Sequence, residues 1–545
     1  MRESYLEKFD RIWIDCLNGD SYKTGKVTPD GKPDPSVFST EWNRERIQVG
    51  TSIGLLVRNR RSKGTGTIHL RQFWGKAKRE ELLASIGEPI YESISPAIDL
   101  GLSFMSAKIG ENYRAWPPLP SLFPTSFPGV KTSRDQLLID VDKEDLVRRM
   151  QSFFDPKLSY EEWHLANQGL AENVAGFDPK SVRTALVLRG FQLENIVRFQ
   201  YRPFDVRWLY WEPETNLLDR KREDYFPHVG QENRWIEARQ RQPKEIFDRG
   251  FVTRFIADNF GNGLSNFFPL RLKTEALHGP LLKPSSGSAE TPNLSDDAWE
   301  YLAALKRDPE DLFFHAVAMI NDPAYRSENA GALRQDWPHV PLPISKQALI
   351  DSADLGRQIA RLFDCEVPIK QITSGDLRAE LKPIAVTTRV GGGSLKETDL
   401  ELTAGWGHSG KGGVTMPGRG KLLEREYSID EQKSIIDGAR AIGITEENAL
   451  RHLGDKTCDV YLNDDAYWCN VPTRVWEYTI GGYQVIKKWL SYREKPLLGR
   501  ALTVDEVRYV QEMARRIAAI LLLEPALDAN YESIKANTFS WPPKS

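Results

Sequence analysis

The sequence predicts a multidomain α/β protein, because strand-like and helix-like patterns alternate along a chain of 545 residues. At roughly 100–200 residues per domain, this length allows about three or four domains. Apolar runs at Phe9–Leu17 (FDRIWIDCL) and Ile47–Arg58 (IQVGTSIGLLVR) predict two strands joined by a long polar loop. Helical stretches such as Glu144–Phe154 then alternate with aromatic-rich strand candidates such as 196–211 (IVRFQYRPFDVRWLYW).

The second half of the chain is predicted to be helical at first and is then rich in glycine. Helical patterns between residues 295 and 365 are DDAWEYLAALKR, DLFFHAVAMI and ALIDSADLGRQIARLF. The region 385–425 (with RVGGGSLK and GWGHSGKGGVTMPGRGK) predicts a mobile connection or a long loop. A Thr-x-x-Glu capping box at Thr503 and Glu506 then opens a predicted helix over 503–523.

These patterns divide the chain into five predicted segments. They are 1–110, 130–285 (an α/β domain), 295–365 (a helical spacer), 366–430 (a glycine-rich loop or insertion) and 431–545 (a carboxy-terminal recognition or docking segment with a terminal helix).

Composition narrows the class of protein. Charged residues make up 27% and apolar residues 40% of the chain, which is typical of a globular protein. No stretch approaches about 18 uninterrupted apolar residues, and the charged start differs from a signal peptide, so we expect a cytoplasmic protein. The net charge of −3 neither supports nor excludes a nucleic-acid partner, so any DNA-binding surface must be a local basic patch.

The cysteines and prolines show no catalytic or metal-binding pattern. Cys16, Cys365, Cys458 and Cys469 form no Cys-x-x-Cys pair, and we expect reduced thiols and no metal. An adenine methyltransferase needs a glycine-rich cofactor loop and a polar-Pro-Pro-aromatic tetrapeptide that holds the flipped base. The Pro-Pro pairs in AWPPLP and SWPPKS have the wrong neighbours. We therefore predict no catalytic residue in this chain.

Several segments of the chain nevertheless resemble one family of enzymes. They are MRESYLEKFDRIWIDCLNGD at the start, VGTSIGLLVR (49–58), YRPFDVRWLYW (201–211), FVTRFIADNFGNGLSNFFPLRL (251–272), DLFFHAVAMINDPAYR (311–326) and VWEYTIGGYQVIKKWLSYRE (475–494). Together they resemble the carboxy-terminal part of Type ISP restriction-modification enzymes, which are adenine-specific DNA methyltransferases. The resemblance extends through nearly the whole chain.

This resemblance implies that DNA recognition and methyl transfer belong to two different parts of the enzyme. Residues 1–110 would be the end of a Rossmann-like methyltransferase sheet, followed by an α/β target-recognition domain. The partner would be double-stranded DNA, in host-protective modification or phage defence. S-adenosylmethionine would belong to a missing catalytic half, which we expect on a separate polypeptide, because the strands at 9–17 and 47–58 would otherwise leave unpaired sheet edges. No cofactor is expected in this chain.

Basic and aromatic residues supply the candidate DNA contacts. The candidates are Lys23, Lys26, Tyr201, Arg202, Arg207, Arg220, Lys221, Arg222, Arg234, Tyr483, Gln484 and Lys487. Arginine forks suit guanine edges and phosphates, glutamine suits adenine, and lysine suits phosphates. Further candidates with weaker patterns are Asn18, Arg239, Arg241, His408, Lys411, Arg419 and Lys421.

Each group of candidates also has a structural explanation that the sequence leaves open. Arg202 or Arg207 could pair with Asp205 inside a packed strand corner, and the run 220–222 could be a solvated helix face. The segment 481–484 could be a tight turn that docks the following helix. The loop that carries Lys23 and Lys26 and the glycine-rich stretch could be plain exposed connections.

Two other functions compete with DNA recognition. Asp364 with Glu380-Leu381-Lys382 imitates the acidic arrangement that binds magnesium in restriction nucleases. The net charge of −3 is compatible with an interaction protein that has no role in DNA binding. Salt-dependent retention on duplex DNA would exclude the latter.

Overall fold

The chain is described here from a computed structural model. The described residues are 1–19, 28–29, 32–38, 50–59, 66–87, 90–96, 102–105, 109–172, 176–241, 249–259, 265–273, 290–410 and 414–542. Contacts between Cα atoms group the chain into two compact units. Unit 1 comprises Met1–Pro118, Arg239–Phe247 and Ala324–His339, and unit 2 comprises Leu119–Ala238, Asp248–Pro323 and Val340–Ser545. The five-segment division remains a prediction.

Unit 1 is built around a sheet with the strand order β2-β1-β3-β4. The elements of residues 1–118 are α1 (Arg2–Lys8), β1 (Arg11–Cys16), β2 (Ser52–Val57), β3 (Thr67–Gln72), α2 (Lys78–Ala84) and β4 (Glu92–Ile94). Strand β1 runs antiparallel to β2 and parallel to β3. Both predicted strands are confirmed in β1 and β2, although residues 47–49 of the second lie outside the described part.

The core of unit 1 is small, and one of its strands is uncovered. Ile12, Ile68, Leu70 and Ile94 form the buried centre of the sheet. Strand β2 lies at the edge of the sheet and is exposed along its whole length, although it carries the apolar sequence SIGLLV. An exposed apolar edge strand offers unpaired backbone groups to another chain segment.

Residues 119–323 form three small sheets and a set of helices. The helices are α3 (Leu119–Leu122), α4 (Asp135–Leu138), α5 (Lys143–Phe154), α6 (Tyr160–Ala166), α7 (Pro179–Arg189), α8 (Asp296–Leu305) and α9 (Pro309–Asn321). The strands are β5 (Phe127–Pro128), β6 (Ile139–Asp140), β7 (Ile196–Arg202), β8 (Asp205–Tyr210), β9 (Trp235–Arg239), β10 (Phe251–Thr253), β11 (Ile256–Ala257), β12 (Ser265–Pro269), β13 (Arg271–Lys273) and β14 (Glu290–Pro292). The sheet orders are β10-β9-β12-β5, β11-β7-β8-β6 and β13-β14.

Residues 323–545 are mainly helical, with one further sheet and two short ribbons. The helices are α10 (Pro323–Glu328), α11 (Ala330–Leu333), α12 (Lys346–Phe363), α13 (Ile429–Ala441), α14 (Glu446–Leu453), α15 (Thr473–Trp476), α16 (Val485–Ser491), α17 (Lys495–Leu498) and α18 (Val504–Ala536). The strands are β15 (Val386–Arg389), β16 (Gly407–Ser409), β17 (Thr415–Pro417), β18 (Leu422–Arg425), β19 (Thr457–Tyr461), β20 (Ala466–Pro472), β21 (Thr479–Ile480) and β22 (Tyr483–Gln484). The sheet order is β15-β20-β19-β18, and the ribbons are β16-β17 and β21-β22.

The core of unit 2 is held by packed helices. Helices α9 and α12 approach so closely at Gly356 that a Cβ atom there would lie 1.8 Å from the carbonyl oxygen of Phe314. Only glycine fits at such a crossing. Helix α18 begins with the predicted capping box of Thr503 and Glu506 and continues to Ala536, beyond the predicted end. The predicted α/β class is confirmed by these mixed sheets and helices.

The glycine-rich region is a correction to the sequence prediction. Instead of one long loop, residues 385–425 contain β15, β16, β17 and β18 in their described part. Leu402 and Trp406 are fully buried there. Isolated apolar residues between glycines thus anchor ordered strands, and their pairing partners lie far away in sequence, as when β15 pairs with β20. Local composition does not reveal such partners.

Among the described residues, we find no helix with both the length and the apolar character needed to cross a membrane.

Candidate nucleic-acid interface

A tight hairpin in unit 2 carries the predicted residues Tyr201, Arg202 and Arg207. Strand β7 pairs antiparallel with β8, and Pro203 and Phe204 form the turn between them. Phe204 has a positive φ of 58° and is fully buried, so the turn is anchored in the core. The predicted strand segment 196–211 is therefore a hairpin whose tip presents arginines on both sides.

Both predicted arginines of this hairpin are paired with carboxylates. Arg202 lies 2.5 Å from Asp258, and Arg207 lies 2.7 Å from Asp205. Asp205 also accepts a hydrogen bond from Arg493 at 2.7 Å. The structural explanation left open by the sequence therefore describes Arg207, while the partner of Arg202 lies 56 residues away along the chain. Direct DNA contact by these two guanidinium groups remains a prediction.

The second predicted group, residues 481–488, lies next to this hairpin. Gly481 and Gly482 have positive φ angles of 61° and 76° and join β21 to β22. Two consecutive positive φ angles are typical of the two-residue turns of hairpins. Helix α16 begins directly after Gln484. The tight turn that docks this helix is thus present, and it places Tyr483 and Lys488 at the surface.

The two groups enclose a shallow depression on unit 2. It is lined by Arg202, Pro203, Asp205, Ile480, Tyr483, Val485, Lys488 and Trp489. Two side chains predicted from the sequence, Arg202 and Tyr483, therefore meet at one surface feature although about 280 residues separate them. The depression has an apolar floor and a cationic, aromatic rim, which are features of nucleic-acid-binding surfaces.

The electrostatics beside this depression favour negative charge. Burial alone would raise the pKa of Tyr492, but Arg202, Lys488 and Arg207 surround the phenol and lower its pKa below the usual value of 10.0. By contrast, burial raises the pKa of Tyr201, whose hydroxyl donates to Asp135 at 2.9 Å. A phenol that ionises more readily despite burial indicates a local positive potential.

A β ribbon packs against the carboxy-terminal end of helix α16. Its strands β16 and β17 pair His408 with Met416. A Cβ atom on Gly407 would lie 1.9 Å from the carbonyl oxygen of Ser491, so the ribbon and the helix are in close contact. The buried carboxylate of Glu494 accepts the backbone N–H of Trp406 at 2.5 Å, and burial raises the pKa of Glu494. The base of the ribbon is therefore rigidly held.

The basic run 220–222 is not a helix face, and its members differ in exposure. Arg220 is exposed, with Asp219 at 3.9 Å. Lys221 pairs with Glu223 at 2.5 Å, and Arg222 donates to the carbonyl of Gly129 at 3.1 Å. Of these three side chains, Arg220 is the one that protrudes furthest into solvent.

Arg234 and the other basic candidates are scattered. Burial lowers the pKa of Arg234, which donates to the backbone carbonyls of Gln231 and Asn233. Arg239 is buried, whereas Arg241, His408 and Arg419 are exposed. Lys421 pairs with Asp464 at 2.7 Å. These residues do not join the depression.

Some candidates can be placed only in part. Lys23, Lys26 and Lys411 lie outside the described residues. Asn18, in the same predicted loop as the first two, is buried in unit 1 and donates to the carbonyl of Phe73 at 3.0 Å. Its amide therefore joins the end of β1 to the residue that follows β3 instead of facing solvent.

The acidic residues of the nuclease hypothesis are neutralised by arginines. Asp364 lies 3.0 Å from Arg254, and the fully buried Glu380 lies 2.7 Å from Arg378. Among the described residues, the acidic group with metal-ligand spacing consists of Asp140, Asp142 and Asp145 instead. The arrangement thus gives the nuclease hypothesis no support.

The family model described as "Type ISP C-terminal specificity domain" matches residues 121–519. The chain belongs to this family. The resemblance predicted from the sequence is thereby confirmed, and the matched residues contain the hairpin, the depression and the ribbon. A specificity domain of this kind serves sequence-specific DNA recognition in a restriction-modification system. No curated protein sequence matches the chain.

Several solved structures share the fold of this specificity domain and of the segment before it. A nuclease-deletion mutant of the Type ISP restriction-modification enzyme LlaGI, in complex with a DNA substrate mimic, is 16% identical with a TM-score of 0.56. The ATP-dependent Type ISP enzyme LlaBIII bound to DNA is 17% identical with a TM-score of 0.57. A DrdV–DNA complex is 16% identical with a TM-score of 0.62.

In each comparison the match covers 97% of this chain. It covers 44% of the LlaGI chain, 31% of the LlaBIII chain and 48% of the DrdV chain. The chain therefore spans less than half the length of each of these proteins.

Sequence reasoning missed part of what surrounds the depression in this specificity domain. Tyr492 and Arg493 were not among the candidates, although Tyr492 contacts the candidate Arg207 and Arg493 pairs with Asp205. A signal was present, because Lys488 and Tyr492 are four residues apart, a spacing that brings two side chains together across one helical turn. Arg493 and Asp205 pair although 288 residues separate them, and no pattern in the sequence around either residue predicts this contact.

Proposed function

We propose that this chain is the sequence-specific DNA-recognition part of a Type ISP-like restriction-modification enzyme that methylates adenine at N6. The match of residues 121–519 to the specificity-domain family carries the proposal. The solved structures of similar fold are described as DNA-bound, which supports duplex DNA as the partner. Modification of this kind would serve host protection or phage defence.

Unit 2 would provide the DNA-facing surface. Base readout requires donors and acceptors that are held in place by the protein before DNA arrives. Tyr483 and Gln484 meet this requirement in their backbone, because the pairing of β21 with β22 and the start of helix α16 hold it in place. Arg202 and Arg207 would support this surface through their ion pairs with Asp258 and Asp205.

The methylating centre would belong to another polypeptide. S-adenosylmethionine supplies the methyl group in this chemistry, and its binding needs a strand followed by a glycine-rich loop and a helix. The described residues of unit 1 hold no such arrangement after β1, where Leu17, Asn18 and Gly19 lead out of the strand. In this proposal the chain's own role is to bind and position DNA.

The uncovered strand β2 supports a separate catalytic half as a partner. Ile53 is 50% exposed and Leu55 is 60% exposed, on a strand at the edge of the sheet. Covering such a strand removes apolar area from water and pairs its free backbone groups. A methyltransferase half that continues the sheet past β2 would do both.

Selection from random duplexes tests the proposed recognition. The purified chain is incubated with random-sequence duplexes at two salt concentrations, and the retained pool is sequenced. We expect enrichment of one short motif at both salt concentrations. Binding without any motif would assign specificity to the missing half, and no binding at either salt concentration would contradict the proposal.

A further inference from the structure

We propose that Lys488 is a phosphate-binding residue that seats one phosphodiester of the DNA backbone in the depression between Arg202 and Tyr483. This inference rests on the proposed DNA-recognition function and names one contact within it. The depression lies between the hairpin tip of β7-β8 and the first turn of helix α16.

The ammonium group of Lys488 is held in place by aromatic rings. Its Nζ atom lies 5.2 Å from the ring centroid of Tyr483 and 4.7 Å from that of Tyr492. Cation–π contacts restrict the side chain without neutralising its charge.

Lys488 differs from three other lysines of unit 2 in having no carboxylate partner among the described residues. Lys421, Lys456 and Lys495 lie 2.7, 3.0 and 2.8 Å from the carboxylates of Asp464, Glu424 and Glu401. Within the described part of the chain, no carboxylate lies within salt-bridge distance of Lys488. A positioned cation without a counter-charge is suited to an external anion.

The neighbouring charges do not cancel this cation. Asp205 lines the same depression, but Arg207 and Arg493 already bind its carboxylate at 2.7 Å each. Asp258 is engaged by Arg202 at 2.5 Å. Arg202, Lys488 and Arg207 lie close enough to the phenol of Tyr492 to lower its pKa although burial acts in the opposite direction.

The phosphate is assigned to the DNA backbone because the lining of the depression lacks the groups that would enclose a nucleotide. A free nucleotide would need further groups that enclose its sugar and base, and the lining offers one partly exposed aromatic ring, that of Tyr483. Backbone phosphates need only a fixed cation at the surface. The contact is therefore independent of base sequence.

The salt dependence of DNA binding tests this assignment. The dissociation constant of the full chain for a fluorescent duplex is measured between 50 and 300 mM salt for wild type, K488Q, K488R and the control K433Q. Lys433 is exposed on helix α13, away from the depression. For K488Q we expect affinity about tenfold lower on every duplex, and a log K against log salt slope smaller by about 0.9. K488R and K433Q should retain the wild-type slope.

The possible outcomes separate this inference from the proposed function. If wild type binds DNA with a salt slope and K488Q matches it, the phosphate assignment is overturned while DNA recognition stands. If K488Q weakens binding to one sequence alone, Lys488 reads a base and the assignment is again overturned. If wild type binds no duplex, the proposed function itself fails. Loss of binding to a fluorescent ATP analogue, with duplex affinity unchanged, would reassign the site to a nucleotide.

Discussion

Asp205 is the residue on which the depression depends most. Its carboxylate is buried and accepts hydrogen bonds from both Arg207 and Arg493. Burial alone would raise its pKa, but the two guanidinium groups hold the pKa of Asp205 well below its usual range. The group therefore stays ionised, and the arginines depend on its charge.

Replacing Asp205 with asparagine tests this dependence. D205N leaves two buried arginines with one neutral acceptor, and we expect a loss of about 3–5 kcal/mol in the free energy of unfolding. Urea unfolding followed by tryptophan fluorescence measures the change. The matched control is D464N, which removes an exposed carboxylate from its pair with Lys421 and should leave the stability unchanged. A D205N protein as stable as D464N would show that the triad is not a stabilising element.

His315 makes the stability of the protein depend on pH. The ring is fully buried, with Nδ1 2.7 Å from the hydroxyl of Ser352 and Nε2 2.7 Å from the carbonyl oxygen of Pro341. Because a carbonyl can only accept, Nε2 carries the proton and Nδ1 accepts from Ser352. Burial lowers the pKa of His315 from 6.5 to about 4.

We therefore expect stability to fall as the pH falls from 6.5 to 4. In this window the unfolded chain binds a proton that the folded chain excludes. The free energy of unfolding therefore decreases by on the order of 3 kcal/mol. Urea unfolding at several pH values measures the slope. H315Q should remove this part of the slope, whereas H408Q, at an exposed position, should keep it. Equal slopes in wild type and H315Q would contradict the assignment of a neutral buried ring.

At the scale of single residues, the sequence identified the right segments and left the roles open. The alternatives for Arg202 and Arg207 were a DNA contact or an ion pair, and the structure shows ion pairs. The choice depends on carboxylates such as Asp258, which pairing of distant strands brings close. No spacing rule within a segment contains that information.

At the scale of elements, the ribbon β16-β17 depends on glycines at its base. Gly420 has a φ of +71°, and a Cβ atom there would lie 2.0 Å from the ring of Trp406. Trp406 is fully buried and donates from its indole nitrogen to the carbonyl of Tyr461 at 2.8 Å. A side chain at residue 420 must therefore displace this indole.

Paired alanine substitutions separate packing from backbone conformation. Gly443 also has a positive φ of +78°, but a Cβ atom there meets open space. We expect G420A to lose about 1–3 kcal/mol more stability than G443A, because overpacking adds to the shared conformational cost. Urea unfolding gives the two values, and the emission of Trp406 should change in G420A alone. Equal losses would show that the ribbon tolerates movement of Trp406.

Elements with a strong local pattern were predictable, and elements defined by distant pairing were not. The capping box at Thr503 and the apolar periodicity after it predicted the start of the last helix. The structure confirms this start. The glycine-rich strands carry no alternating pattern, so composition alone suggested a loop. These strands are ordered because Trp406 is buried beside them and because they pair with distant strands. For example, β15 pairs with β20, which lies about 80 residues away.

At the scale of the whole molecule, the net charge of −3 conceals a locally positive surface. Counterion release depends on the phosphates neutralised at the interface and not on the total charge. We therefore expect the affinity for duplex DNA to fall at least about tenfold between 50 and 200 mM salt. Fluorescence anisotropy of a labelled duplex gives this value. An affinity that does not change with salt would exclude a phosphate-binding interface and favour an interaction protein without a role in DNA binding.

The measurement that tests sequence recognition most directly is the ratio of two dissociation constants at one salt concentration. One duplex carries the motif enriched from the random pool, and the other carries the same bases in scrambled order. A recognition module should bind the motif at least about 10³-fold more tightly, because each mismatched base pair costs roughly 1–3 kcal/mol. Equal dissociation constants for the two duplexes would contradict sequence-specific recognition by this chain.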